Sequence, residues 1–489
     1  MSVFPMSRRD FLQTAAATVG VVTLGGALAA CGGTSTSSAS GVVTVNYWDW
    51  WVSQAPWVDN EIKLFQQANP KIMIKKTTQV TNTYANLFAL SVQSSNEPDV
   101  FMISATPNLN DQVARGWLMP IDKWANSAWQ AQFPQGTFYE GSDMFNGKIY
   151  TAPFSGTVPW LQLYINHAVF KQAGLTNADG SVMIPHTWDD VSNFAATITK
   201  KSGGSVYGLG FGSGTFAILP WWVELFVRGA GSPGGTSTMD MRVGKWTYST
   251  DSNYMDIINL ILDWKKHGYF YPDSISITDE VARAYFERGK FGMTVGGVWN
   301  QAEWTQHKFT DYSLITLPSP TTTPQGYFYS TPGGSLWAMS NKTKYPDEAW
   351  AWFDWLYSPA AGKRWVQMGE DVSVFPQNDQ ASLVTFKPFA EYVGTSNLEI
   401  PGPNPAQRNP QTANVIQATV KPDIGDVLTG IYTGQISDIH GALSALDDRY
   451  MKSLTDGISQ AVQQGNKVSL ADYTFSDWDI TKPYYTKPA

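Results

Sequence analysis

Apolar and polar positions along this chain switch repeatedly between the period of a strand and the period of a helix. Val42-Val43-Thr44-Val45-Asn46-Tyr47 is β-branched and bounded by polar residues, which predicts a first strand. Val58, Ile62 and Phe65 then recur at helical spacing until Asn69-Pro70 stops them. Lys71 to Lys75 predicts a second strand, and Tyr84 to Val92 a helix with Leu87, Phe88 and Leu90 on or near its buried side. Asp99 to Ile103 is apolar after its first residue, as in a strand covered on both faces. This alternation places the chain in the α/β class, with a parallel, helix-covered sheet. Beyond Tyr150 the pattern resumes, with helices over Asp189–Thr199, Tyr254–Lys266 and Val281–Arg288 and strands over Val206–Phe211 and Phe291–Val295. Gly229–Thr238 and Pro401–Pro410 read as surface loops, and no internal repeat is evident.

A length of 489 residues exceeds one ordinary core and implies two or three units. The formal charge is −8 and no dense basic run occurs, which argues against a nucleic-acid partner. Aromatic residues reach 14%, with 21 Trp, more than core packing needs; this favours a surface that stacks on flat, partly apolar ligands. The single cysteine, Cys31, excludes an intrachain disulfide and a cysteine-based zinc site. Five scattered histidines form no H-E-x-x-H set, there is no G-x-S-x-G elbow, and Gly208 to Gly212 lacks the lysine of a phosphate loop. No metal or cofactor is expected.

The N-terminus reads as an address. Ser7-Arg8-Arg9-Asp10-Phe11-Leu12 precedes a short apolar, small-residue run ending in Leu28-Ala29-Ala30-Cys31. The arginine pair resembles a twin-arginine export signal, with an ordinary secretory start as the alternative, and the final tetrad resembles a bacterial lipobox. The expectation is a signal peptide over 1–30, a lipidated Cys31, a Gly/Ser/Thr tether over 31–41, and a protein exported and anchored by lipid to the outer face of the cell membrane. No later apolar run is long enough to cross a bilayer.

The order of several segments resembles family 1 extracellular solute-binding proteins of ABC importers, the group that includes maltose-binding protein. They are the first strand ending in Trp48, Glu97-Pro98-Asp99-Val100, Gly116-Trp117-Leu118-Met119-Pro120-Ile121-Asp122, Asn146 to Pro153, Leu163 to Asn166, Phe170 to Leu175, Pro185-His186-Thr187-Trp188-Asp189-Asp190, and Phe286 to Met293 with Gly297-Val298-Trp299. The resemblance implies a two-lobed, type II periplasmic-binding fold of parallel-sheet lobes joined by hinge strands. It implies lobe 1 over 42–153 plus 318–368 and lobe 2 over 154–317 plus 369–489, with crossings near Pro153-Phe154, Leu317-Pro318 and Met368–Asp371. It further implies a non-enzymatic monomer that hands a carbohydrate to ABC permease subunits. The tail Ala471–Ala489 departs from the family pattern.

Parallel strands present their carboxyl ends to one crevice. Trp48, Asp49 and Trp50 end the first strand there, Asn82 lies in the loop after the second, and Ser104 in the loop after the third. Trp48 and Asp49 would together offer a ring face and a carboxylate to a sugar. In the second lobe Trp299 and Asn300 follow a strand through Gly296-Gly297, and Phe216, Trp221 and Glu224 form an aromatic-plus-carboxylate set. By resemblance Trp299 and Phe216 take ligand-stacking positions. Gly334 and the pair Glu370-Asp371 fall near hinges. Trp350, Trp352, Trp355 and Trp365 keep helical spacing with Ala349, Phe353 and Leu356, and are assigned to core or rim. The alternatives are a secreted glycoside hydrolase or lyase using two carboxylates, a binder of a non-sugar solute, and a ligand-sensing subunit of a receptor.

Overall fold

The computed structural model describes residues 41–52, 54–79, 81–104, 106–134, 136–330 and 336–487; of Thr81 and Asn82 it describes the backbone only. Cys31, the signal and nearly all of the tether lie outside these residues, as does Gly334. Apart from the short hairpin of Met144–Phe145 and Lys148–Ile149, the strands, in chain order, are β1 (Val43–Asp49), β2 (Ile72–Thr78), β3 (Val100–Met102), β4 (Gln162–Asn166), β5 (Tyr207–Leu209), β6 (Phe291–Gly296), β7 (Tyr312–Ile315), β8 (Phe328–Ser330), β9 (Trp337–Met339) and β10 (Glu399–Pro401).

The first sheet has the order β9-β3-β1-β2, with β1 parallel to both β2 and β3 and β9 antiparallel at the edge. Helix α1 (Ala55–Ala68) covers it through Trp57, Val58, Glu61 and Phe65, and α2 (Thr81–Gln93) follows β2. The Trp-rich segment forms helices over Pro346–Leu356 and Pro359–Gln367, where Trp352 and Trp365 are buried and Trp350 and Trp355 only partly so. Trp51 stacks on Trp365 at 4.8 Å and meets Trp337 edge-on at 5.3 Å, so much of the tryptophan excess is core. Glu61, fully buried, accepts from Arg364 at 2.6 and 2.5 Å and from the Trp355 indole at 2.9 Å, tying these helices together.

The second sheet, built from β4 to β7, runs in the order β5-β6-β4-β7. Here the parallel expectation is corrected: β5 and β6 are parallel, but β4 is antiparallel to both β6 and β7. The chain enters this sheet at Gln162, which pairs with Gly296, the last residue of β6. One strand therefore leaves the shared edge while its neighbour returns to it. Helix α3 (Trp188–Lys201) shows why the local sequence folds as read. Trp188, Val191, Phe194, Ala195 and Ile198 make its buried stripe, Thr187 and Asp190 close a capping box, and Lys200 and Lys201 lie in the last turn. Thr187→Ala should lower stability by about 1 kcal/mol, read as a shifted denaturation midpoint with an unchanged slope.

Two connections between the sheets lie side by side. Ser155 bridges Ser373 in antiparallel fashion, Gly156 N–H donates to Val372 at 3.2 Å, and Val374 N–H to Phe154 at 2.9 Å. A Cβ on Gly156 would fall 2.3 Å from the Ser373 carbonyl oxygen, so this approach requires glycine. Leu317-Pro318, where the second of the three crossings is expected, packs with the second sheet. Thr187 bridges Ser319, and Gln325 N–H donates to Gly229 O at 2.9 Å.

The segment from β10 to Val415 spans the two sides. Asn404 Nδ2 donates to Tyr139 Oη at 2.8 Å, and Asn414 Oδ1 accepts from Asn110 at 3.0 Å. On the other side Arg408 donates to Thr474 O at 2.6 Å and Asn409 to Lys467 O at 2.8 Å. The tail that departs from the family pattern completes this strap: Tyr484 N–H donates to Pro401 O at 2.8 Å and Trp478 packs edge-on against Tyr329 at 4.8 Å.

Candidate functional site

The register Gln162↔Gly296 brings two tryptophans to one edge of the second sheet. Trp160 lies just before β4, and Trp299 opens the helix just after β6 (Trp299–Gln306). Their rings are nearly parallel, 6.5 Å apart at 28°. Trp221, on the helix Leu219–Gly229, stands across both, 5.8 Å from Trp160 and 5.5 Å from Trp299. Phe216 extends the group, 5.5 Å from Trp221. Phe216 and Trp160 keep 44% and 41% of their surface in solvent, a costly way to place large rings unless something covers them. Gly297 is what lets the cluster form, since a Cβ there would sit 2.0 Å from the Trp299 ring.

Behind the rings the polar groups are held from below. Tyr164 Oη donates to Gly297 O at 2.9 Å, and Gln301 Nε2 reaches Tyr164 Oη at 3.3 Å. Gln301 Oε1 and Asn300 Oδ1 are buried without a hydrogen-bond partner.

The first-sheet candidates do not converge in this way. The strand continues through Asp49, so Trp48 and Asp49 point to opposite faces and cannot grip one ligand as a pair. Asp49 lies on the buried face with Val45 and Tyr47. It is fully buried, and burial raises its pKa against the pull of Thr78 and Lys76. Trp48 is half-buried, and Trp50 packs edge-on against Tyr84 at 4.7 Å. Ser104 turns inward: its Oγ donates to Thr106 O at 2.7 Å, which shapes its own loop. Asn82 falls in the first turn of α2, not in a loop, and its side chain lies outside the described atoms.

Glu224 is corrected as well. It faces into the second core, 3% exposed, and Arg228 Nε donates to it at 2.8 Å. The Thr236 N–H and hydroxyl donate to its other oxygen. Arg228 also donates to Pro233 O at 2.7 Å and Thr238 Oγ1 at 2.9 Å. The Gly/Ser-rich stretch expected at the surface is thus mostly buried, wrapped around an ion pair whose guanidinium needs carbonyl acceptors.

Carboxylates instead gather at the connections. Asp371 Oδ1 accepts from Tyr392 Oη at 2.7 Å and Val372 N–H at 2.8 Å, and Asp379 Oδ1 accepts from Ser373 N–H at 2.7 Å. Glu370 is 7% exposed with Oε2 unpartnered. Burial pushes Glu370 up to about 8, with the charge of Asp371 adding to it. Burial likewise pushes Asp371 up to about 6 and Asp379 to about 7. It raises Glu399, at the start of β10, to about 8 against the pull of Arg228.

Residues 51–363 match the family model of the bacterial extracellular solute-binding protein. The chain belongs to that family. No curated protein matches this solute-binding protein. Among solved structures it is similar to the GacH receptor of Streptomyces glaucescens at 17% identity and TM-score 0.63, covering 84% of this chain and 98% of that one. It is similar to RafE, known from Streptococcus pneumoniae and solved in complex with raffinose, at 17% identity and TM-score 0.61, covering 84% and 100%. It is also similar to an ABC transporter solute-binding protein from Thermotoga lettingae bound with α-D-tagatose, at 19% identity and TM-score 0.62, covering 84% and 99%. At these identities the likeness establishes the fold, a type II periplasmic-binding architecture.

Of the expected site residues, the solute-binding protein brings together Phe216, Trp221, Trp299 and Asn300. It adds Trp160, which pattern reading missed: nothing in Pro159-Trp160-Leu161 marks a ligand position until β4 is known to pair antiparallel with β6. A separate cavity of about 450 Å³ lies beside β7, lined by His167, Lys171, Ser313, Lys387 and Glu391, and shares no residue with the tryptophan cluster. Among the described residues no helix is long and apolar enough to cross a membrane, and no group of three His, Cys, Asp or Glu side chains is placed to hold a metal.

Proposed function

We propose that this solute-binding protein captures a mono- or oligosaccharide between two lobes and delivers it to an ABC permease. The first lobe is built on the sheet of β1–β3 and β9, and the second on the sheet of β4–β7 with the C-terminal helices. The observation that carries this reading is the exposed cluster of Trp160, Trp221, Trp299 and Phe216 at the sheet edge beside the connections. Such rings pack on the C–H faces of a pyranose, while Asn300 and Gln301 offer acceptors to its hydroxyls. The shared fold with proteins solved with raffinose and tagatose supports a saccharide.

Contacts to both lobes would favour a closed state about the Ser155–Ser373 connection. The Arg8-Arg9 leader and the Leu28-Ala29-Ala30-Cys31 tetrad support an exported, lipid-anchored protein, acting as a monomer outside the cell. Binding without turnover fits better than hydrolysis, because Asp49 and Glu224, two of the candidate acids, are buried and face away from the rings. A thermal-shift screen of the full chain against mono- and oligosaccharides tests the reading. At about a hundredfold excess over Kd a ligand adds about 2.7 kcal/mol to stability. A stabilised complex that leaves the sugar intact is the expected result, and sugar cleavage would replace binder with enzyme.

A further inference from the structure

Away from the tryptophan cluster, three side chains are joined by short hydrogen bonds where β7 meets the cavity beside it. β7 is the edge strand of the second sheet, and Ser313 is its second residue. Asp311 lies two positions earlier, so both side chains leave the same face. The register Asn166↔Tyr312 brings His167 alongside them, and its backbone N–H donates to Asp311 O at 3.1 Å. Asn166 caps the helix His167–Gln172 and donates to Phe286 O at 2.7 Å, which fixes where the imidazole starts.

The imidazole reaches both neighbours. Nδ1 lies 2.8 Å from Asp311 Oδ1, and Nε2 lies 2.8 Å from Ser313 Oγ. An ionised carboxylate only accepts, so Nδ1 carries the proton and, in the neutral ring, Nε2 accepts from the Ser313 hydroxyl. Lys171 Nζ holds the other Asp311 oxygen at 3.4 Å. Hydroxyl, imidazole and carboxylate thus stand in the order of a nucleophile, its base and the group that orients the base. Ser313 is buried, yet with His167 it lines the cavity of about 450 Å³, a volume within the range of small-molecule sites.

The same cavity holds donors for a developing negative charge. Leu314, the residue after Ser313, also lines it, and its N–H donates away from the sheet to Glu391 Oε2 at a long 3.4 Å. An anionic oxygen is therefore already accommodated one residue from the hydroxyl. Lys387, 3.8 Å from Glu391 Oε1, can draw that side chain aside, and Lys171 and Lys387 add positive charge to the lining.

We propose that this cavity hydrolyses small carboxylic esters, with Ser313 and His167 as catalytic residues and Asp311 as the positioning residue. Ser313 Oγ bonds to the ester carbonyl carbon as its proton passes to His167 Nε2. The bond from that carbon to the alcohol oxygen then breaks, and the alcohol leaves with the proton from Nε2. Water adds to the acyl-serine and gives a proton to Nε2. The acyl–Oγ bond breaks, Oγ regains that proton, and the carboxylic acid departs. Ester and water become acid and alcohol, and the chain is restored. The activity is independent of the saccharide reading, since the cavity shares no residue with the rings.

The test uses the full chain with p-nitrophenyl acetate as substrate and a fluorophosphonate as a serine label, mapped by mass spectrometry. The expected result is catalytic release of p-nitrophenol and one adduct, on Ser313. Ser313→Ala should lose the adduct and, like His167→Gln, lower kcat at least about a hundredfold. Asp311→Asn should lower kcat at least about tenfold with KM unchanged, because the ring is no longer held in the reactive tautomer. A purely structural tie would shift the melting curves and leave those rates alone. Release that persists in Ser313→Ala, an adduct elsewhere or none, or an adduct without turnover overturns the ester inference. An unchanged kcat in Asp311→Asn overturns the part given to Asp311. The label is read on the unaltered chain, so the inference is decided even where a variant fails to fold.

Discussion

Glu224→Ala should lower the unfolding free energy of the second-sheet half by about 3–5 kcal/mol, among the largest single effects in the molecule. The carboxylate and the guanidinium of Arg228 are 4% and 5% exposed, so solvent screens little of their attraction. Removing one partner leaves a buried charge whose remaining bonds, to Pro233 O and Thr238 Oγ1, go to neutral groups. The same change frees the Thr236 N–H and hydroxyl, and with them the buried loop closed over the pair. Replacing both charges, Glu224→Met with Arg228→Leu, should recover most of the loss, because no unpaired ion then remains. Denaturant unfolding followed by tryptophan fluorescence reads both variants. A loss confined to ligand affinity, with stability unchanged, would return Glu224 to the binding site.

Trp299→Ala should weaken saccharide binding by about ten- to a hundredfold, the equivalent of losing one buried ring face. Stability should change by no more than about 1 kcal/mol, since the ring is only partly buried and rests on other exposed rings. Trp160→Ala should behave alike, because its ring forms the other side of the same cluster. Trp51→Ala is the control with the opposite signature. That ring sits among Trp57, Phe154, Trp337 and Trp365, so its loss should destabilise without touching the cluster. Calorimetry with a sugar found by thermal shift, beside melting curves for each variant, separates the two patterns. Unchanged affinity in both Trp299→Ala and Trp160→Ala would place the ligand elsewhere.

Helix and strand periods were readable wherever one face is buried. Thr187-Trp188 to Lys201 carries its cap, its stripe and its terminal charges in plain sequence, and the structure repeats them. Strand direction was not readable, because a strand such as β4 is buried on both faces whichever way it runs. That one ambiguity hid Trp160. The Trp48–Asp49 pairing failed on a boundary instead, since the first strand continues two residues beyond Tyr47. Glu224 was misplaced for a different reason. An acid four residues before an arginine on one helix is equally a surface pair or a buried one, and only the fold of Gly229–Thr238 decides. The carboxylates at the connections could not be grouped at all, since Glu399 meets Asp371 only after the intervening chain has folded back.

The tie formed by Asn404, Arg408 and Asn414 restricts the freedom of any rocking motion. With Tyr139 and Asn110 held on one bank and Thr474 and Asn466 on the other, separation at that margin has to break side-chain bonds, while the paired connections at Gly156 are held by backbone bonds alone. The C-terminal residues that grip Pro401 and Tyr329 would thereby act as a stay on the amplitude of the proposed closure.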